Sequence, residues 1–413
     1  MSGLKKWSRC PFPIPARCGL RCWAEADIGR AMKKSLVFIL ILGLSVFSGW
    51  GCRQNREGVE IIQIDGVRHI RNPGKPLKGT VRLKVEKVLE INPYRFEEIG
   101  LRSFSFVRDI DGEVILFDSN ATEAQRFNHK GEYLGSLVRK GQGPGEFPDN
   151  CSLGVWFMDN QIWVTGNLKM AKYDKEGRYL GEKKLGYYPR ILVDETWFFV
   201  EKTRLYGEKP VQALILVHLP SDRERKAREI VFFEAENAGA IRGPGQRGFM
   251  EPWATPRIVC TYDRENRRIF IALNTEYKIH VKNLKGETRF IMEKPHRNVK
   301  VSRKDKKELL SFHMRGGPPK WMLNAYPDHL VAMKELNMLP GGYLAVYRVS
   351  GPGRFDVDVF DSRGRYVYVM KPPEGISLEY ATFYDFGFST TETTEEGFQV
   401  YVEYRIKNLP EIF

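Results

Sequence analysis

Cysteine is scarce: the chain has six in 413 residues, and four of them (Cys10, Cys18, Cys22 and Cys52) fall within the first 52 positions. Only Cys151 and Cys260 lie beyond, which excludes a disulfide-stapled scaffold. Histidine is as thin, with seven residues (69, 129, 218, 280, 296, 313 and 329) and no two at metal-ligand spacing, so neither metal nor cofactor is expected. The sequence has no G-x-S-x-G elbow, phosphate-binding loop or H-E-x-x-H helix, and the glycine-rich fragment at 243–248 follows no strand–helix unit. No compact Lys/Arg cluster interleaved with aromatics is present, which argues against nucleic acid. Long apolar runs are missing apart from Leu36 to Phe47, too short to span a bilayer comfortably.

That run follows Lys33-Lys34 and ends in Ser48-Gly49-Trp50-Gly51-Cys52, the order of a positive start, an apolar stretch and small residues that marks a cleaved export signal. The cysteine placement resembles the lipobox of bacterial lipoproteins, which implies that Cys52 is lipidated and becomes the mature N-terminus. Gly51 suits that motif, while Gly49 stands where leucine is usual and Trp50 is bulky for its place. Met32 before Lys33 is a normal signal start, so residues 1–31 read as an over-extended gene start. The expected organisation is a leader at 1–51, a linker at 52–58 and a folded part at 59–413. The expected location is the bacterial cell envelope, on the periplasmic side or the cell surface, anchored to the membrane by lipid. Removing the leader lowers the net charge from +14 to +8, because 57 basic and 49 acidic residues remain. That balance over a large surface is ordinary solvated charge.

What is present in quantity is short β-runs separated by turns. With 42% hydrophobic and 12% aromatic residues they have ample material for a core. One signature recurs: an aromatic residue, Asn or Asp, two residues, then Gly. It occurs at Phe127 to Gly131, Tyr173 to Gly177 and Phe360 to Gly364, with a looser copy at Val281 to Gly286. In a hairpin of this spacing the Asn or Asp side chain caps the turn, and glycine accepts the positive φ that closes it with a bulge. A β-run precedes each signature, another precedes that, and the returning strand follows. Four antiparallel strands recurring every few tens of residues mark a β-propeller. Blades are expected near 101–138, 152–185, 190–234, 256–292 and 328–371. A sixth blade would join the C-terminal runs Tyr380 to Ser389 and Gly397 to Ile406 with the N-terminal runs Val59 to Ile64, Val67 to Ile70 and Val81 to Ile91. The fold class is thus all-β, a six-bladed β-propeller closed by N-terminal strands, and Ser302 to Gly316 reads as a short helical insertion between blades four and five. Cys151 and Cys260 lie by inner strands two blades apart, beyond disulfide reach, so free thiols are expected.

These hairpins, with GQGPGEF at 141–147 after the first blade, resemble the bacterial six-bladed β-propeller lipoproteins, relatives of the NHL-repeat propellers. The resemblance covers roughly 59–413; it implies a fold and an address, and no catalytic set. The GPG element recurs as Gly141, Gly143, Pro144 and Gly145, as Gly243, Pro244 and Gly245, and as Gly351, Pro352 and Gly353. Strand direction places all three at one end of the blades, where they either stiffen a functional face or serve as tight connections. The same end is expected to carry Asn120, Asn167 and Asn274, the cations Arg139, Lys140, Arg190, Arg242, Arg247, Arg257 and Arg354, and the aromatics Tyr187, Tyr188 and Trp253. That combination suits an unknown protein, peptide or saccharide ligand. Two functions stay open: a non-enzymatic binding or interaction scaffold, and a hydrolase or lyase whose site is assembled from several blades at the channel mouth.

Overall fold

Alternating apolar residues and capped turns bring successive β-runs back against one another. In the computed structural model, which describes residues 58–101, 103–118, 121–206, 209–219, 227–236, 253–311 and 317–409, they pair as six antiparallel blades. The inner strands a are Ser105–Arg108, Gly154–Met158, Ile191–Leu192, Ile258–Asp263, Met333–Leu339 and Thr382–Tyr384. Strands b, c and d follow outward in each blade, so b–c and d–a connections share one end of the blades and a–b and c–d connections the other.

The repeated hairpins are the c–d turns. In blade 2 the Asp174 carboxylate accepts the Arg178 amide at 2.8 Å, and Gly177 has φ +81°. Asn128, Asn283 and Asp361 repeat the contact, accepting the amide four residues on at 3.0, 3.0 and 2.9 Å, and each also accepts the amide two residues on. The copy at Val281 to Gly286 is therefore a regular member. The ladder shifts register just before each turn, as a bulge requires.

The sixth blade closes differently from the expectation that all three N-terminal runs complete it. The C-terminal segment supplies three strands, Thr382–Tyr384, Gly387–Thr393 and Gln399–Ile406, and Val85–Ile91 alone adds the outer one. The hairpin Glu60–Ile64 with Val67–Arg71 extends the outer edge of blade 4, and Thr80–Arg82 lies parallel to strand d of blade 5, Tyr366–Lys371. One open edge accepts one strand, so the remaining N-terminal strands find other edges to satisfy their backbone groups.

Each pair of neighbouring blades encloses an apolar layer, and the ring closes where Ile91 and Tyr401 of blade 6 meet Leu116 and Phe127 of blade 1, all fully buried. The insertion between blades 4 and 5 has two short helices, α1 (Arg303–Ser311) and α2 (Lys320–Ala325). Ser302 and Asp305 form a reciprocal cap on α1: the Asp305 amide donates to Ser302 Oγ at 3.2 Å and the Ser302 amide to Asp305 Oδ2 at 2.7 Å. Leu310, Met322 and Tyr326 join the insertion to Val349 at the end of blade 5 strand b.

Candidate functional site

Six inner strands leave a central channel, and a cavity of about 550 Å³ runs along strands a of blades 2 to 5 to Tyr380 at the start of blade 6. Arg190, Arg257 and Tyr380 come just before their inner strands, so they ring the d–a end; Arg264 follows blade 4 strand a and marks the opposite end. Lys334, Glu335 and Asn337 come from blade 5 strand a. That strand is bulged: Met333 pairs with Arg348 and Glu335 with Tyr347, leaving Lys334 as the extra residue. A bulge re-aims side chains, here a lysine and a glutamate that adjoin in sequence.

The lining holds four cations, Arg190, Arg257, Arg264 and Lys334, against one carboxylate, Glu335. Their partners differ. Arg190 pairs with Glu201, which Gln212 also holds. Lys334 is buried, pairs with Glu379, and lies 5.0 Å from the Trp253 ring, 4.7 Å from Tyr380 and 6.0 Å from Phe355. Arg264 donates to the Leu192 and Val193 carbonyls. Arg257 donates from Nη2 to the Lys334 carbonyl at 3.1 Å, its buried Nε has no partner, and no carboxylate among the described residues pairs with it. Burial and then the Arg190 charge lower the Arg257 pKa below its usual range. Burial likewise raises the Glu335 carboxyl, against the pull of Lys334 and Arg257. With its amide nitrogen turned inward, Asn337 donates to Glu335 Oε1 at 3.2 Å. Tyr380 is 62% exposed and has φ +63°, a strained backbone for a bulky side chain.

Of the residues expected at this end, Arg190 and Arg257 line the cavity and Trp253 reaches it through Lys334. Asn274 is fully buried: Nδ2 donates to the Thr255 carbonyl at 3.0 Å, and Oδ1 accepts the Arg257 amide at 2.9 Å. It is a clip that sets the lead into blade 4 strand a. Asn167 is an exposed turn residue at φ +46°. Arg139 is exposed on the blade 1–2 connection, where Lys140 pairs with Asp149 at 3.2 Å. Tyr187 bonds Glu229 and packs near Phe198, and Tyr188 is exposed beside it. Arg354 is exposed on blade 5. Asn120, Arg242, Gly243, Pro244, Gly245 and Arg247 lie outside the described residues, as does Cys52.

GQGPGEF is a clasp between blades 1 and 2. Glu146 folds back to accept the Gly143 amide at 2.9 Å, the Gly145 amide donates to Glu182 at 3.0 Å, and Tyr173 Oη donates to the Gly145 carbonyl at 2.7 Å. Phe147 is fully buried in the layer between the blades. Gly145 has φ +71°, and a Cβ there would come within 2.7 Å of the Tyr179 ring. The Gly143 and Gly145 backbone groups are thus bonded within the blade 1–2 contact, and no residue of the loop lines the channel cavity. Gly351, Pro352 and Gly353 form the b–c turn of blade 5, where Gly353 borders a surface groove.

Lys334, Glu335, Asn337 and Tyr380 were missed by the sequence reading. The available signal was the charged pair interrupting the apolar inner-strand run LVAMKELNML. Cys151 and Cys260 are both free thiols, and Cys260 lines the cavity, where burial raises its pKa. Among the described residues no group of three or more His, Cys, Asp and Glu could hold a metal ion, and no helix is long and apolar enough to cross a membrane.

Residues 96–228 match a family model described as a 6-bladed beta-propeller, DUF5128. Among solved structures, the chain is similar to a member of the duf4221 family from Bacteroides vulgatus (TM-score 0.49, 11% identity, 79% of this chain and 98% of that one). It is also similar to the Bacteroides fragilis protein BF0058 (TM-score 0.43, 11% identity, 82% and 99%). A third is virginiamycin B lyase from Staphylococcus aureus (TM-score 0.40, 11% identity, 78% and 99%). No curated protein matches the chain.

Proposed function

We propose that this six-bladed propeller is an exported, lipid-anchored binding protein without catalytic activity, and that the d–a end of its channel takes a ligand bearing negative charge. The observation that carries the reading is the charge at the channel mouth: Arg190, Arg257 and Lys334 against the one lining carboxylate, Glu335, with the Arg257 guanidinium in no ion pair among the described residues. A buried, unpaired charge is costly, and an anionic ligand would offset that cost while gaining charge-assisted hydrogen bonds. The cavity volume falls in the range of small-molecule sites. A hydrolase working through paired carboxylates or a histidine would need a second such group beside Glu335, and the described lining holds no other carboxylate and no histidine. Export and anchoring rest on Lys33-Lys34, the apolar run to Phe47, and Cys52.

The test is a thermal-shift screen of small carboxylates, phosphates and sulfates against uncharged isosteres, on the wild type and Arg257→Gln. A ligand at a hundred times its Kd stabilises by about 2.7 kcal/mol, well within detection. Stabilisation by anions alone, lost in the variant, is expected. If no anion shifts the wild type, or the variant responds equally, the reading fails. Cys52→Ser should release the protein from membranes; retention in the membrane fraction would refute lipid anchoring.

A further inference from the structure

A second basin, a surface groove of about 640 Å³, lies across the same end of blade 5, between its b–c turn and the connection from blade 5 to blade 6. The two basins share a wall. Lys334 Nζ is 4.7 Å from the Tyr380 ring at the channel edge and 6.0 Å from the Phe355 ring at the groove edge. Leu378 lines the groove and Tyr380, two residues on, lines the channel, so one short segment separates them.

The groove is also cationic. It contains Arg82, Arg354 and Lys371 against Asp356, and Asp356 is taken up by Lys371 and by Arg348 at 2.8 Å. Arg82 and Arg354 have no acidic partner among the described residues; Arg82 donates only to the Pro372 carbonyl, at 3.5 Å. Three guanidinium groups without an acidic partner among the described residues thus line the two adjoining basins, Arg257 with the exposed Tyr380 in the channel and Arg354 with Arg82 in the groove.

We propose that the two basins together bind a linear acidic oligosaccharide of the uronate type, with a terminal carboxylate on Arg257, a sugar face on Tyr380 and the next carboxylates on Arg354 and Arg82. The proposal rests on the reading of the channel mouth as an anion site. Spaced positive charges call for a repeating anion rather than a single one. The flat exposed ring suits the apolar face of a sugar. An extended peptide is the poorer match, because it is commonly gripped by backbone pairing, and the adjacent Pro372 and Pro373 remove two amide donors from the groove wall.

The experiment is isothermal titration with mono-, di- and tetragalacturonate, the carboxyl-reduced tetrasaccharide and a tetraglutamate, on the wild type, Arg257→Gln, Arg354→Gln and Tyr380→Gly. Affinity should rise with saccharide length and fall as salt rises. Arg257→Gln should weaken every acidic sugar about tenfold or more, the usual value of a charge-assisted contact, whereas Arg354→Gln should weaken only the longer ones. Tyr380→Gly removes the ring at a position whose φ glycine accepts freely, so it should lose affinity and keep its melting temperature. Equal binding of the reduced saccharide overturns the anion assignment, equal binding of tetraglutamate overturns the saccharide, and affinity independent of length overturns the groove. If Arg257→Gln fails to fold, the exposed Arg354→Gln and the length series still decide. Small anions that stabilise the protein while all uronates fail would sink this inference and spare the channel-mouth reading; failure of both probes would sink the two together.

Discussion

Asp358→Asn is the substitution that the structure makes most informative for stability. Asp358 lies on blade 5 strand c and is fully buried. Its Oδ2 accepts Tyr277 Oη at 2.7 Å, Lys294 Nζ at 2.6 Å and Arg348 Nε at 3.0 Å, and Oδ1 accepts Tyr366 Oη at 2.8 Å. Asparagine has the same shape, so packing is kept while the negative charge is lost. Arg348 retains Asp356, at 2.8 Å, but Lys294, 4% exposed, loses its carboxylate and keeps only the faces of Tyr277 and Tyr366, at 4.8 and 4.0 Å. Breaking a buried pair from one side costs about 3–5 kcal/mol, because the remaining charge stays in the interior. That is a large part of a typical folding free energy of about 5–15 kcal/mol. Urea unfolding should show the midpoint falling with an unchanged slope. Adding Lys294→Met should restore much of the loss, since it removes the stranded charge. Burial already lowers the Lys294 pKa, and loss of Asp358 lowers it further. The deficit of Asp358→Asn should therefore shrink as pH rises through the lowered pKa of the stranded Lys294, which sheds its proton in the folded state below the ordinary lysine value of 10.5. A cost below about 1 kcal/mol, or a double variant worse than Asp358→Asn alone, would refute the reasoning.

Three further outcomes are expected. Gly177→Val should cost about 2–3 kcal/mol, because φ is +81° and a Cβ would come within 2.5 Å of the Arg126 guanidinium; a melting temperature within error of the wild type contradicts the hairpin account. Burial pushes His280 and His296 from 6.5 down to about 4, with nearby lysines and Arg348 adding to the effect. The unfolded chain therefore binds more protons between about pH 6.5 and 4, and stability should fall across that window, with a shallower slope in His280→Asn/His296→Asn; an unchanged slope excludes these residues. Alkylation and mass measurement of unreduced protein, denatured so that buried thiols react, should label both Cys151 and Cys260; failure to label either would contradict their free state.

The aromatic-Asp-x-x-Gly hairpins were legible because their physics is local: a side-chain oxygen two residues from an amide and a glycine at positive φ act within one turn, whatever surrounds them. Blades 1, 2, 4 and 5 follow from that unit, and blade 3 from its strands alone. The cap of α1 was equally local, whereas α2 has six residues, too few for a helical period to show.

By itself the sequence determined the blade count, the scarcity of histidine and cysteine, and the end of the blades on which the loops at 141–147 and 351–353 emerge, since strand direction follows from counting turns. Only the tertiary structure decided which N-terminal strand closes the ring, because Glu60–Ile64, Val67–Arg71, Thr80–Arg82 and Val85–Ile91 have similar β character and the choice depends on which edges lie open. It decided that GQGPGEF is a clasp, through contacts to Glu182 and Tyr173 several turns away. It also decided the channel chemistry: a bulge at Lys334 and a positive φ at Tyr380 bring a buried ammonium, an unpaired guanidinium and an exposed ring to one mouth. Residues 190, 257, 334 and 380 are far apart along the chain, and only ring closure makes them neighbours.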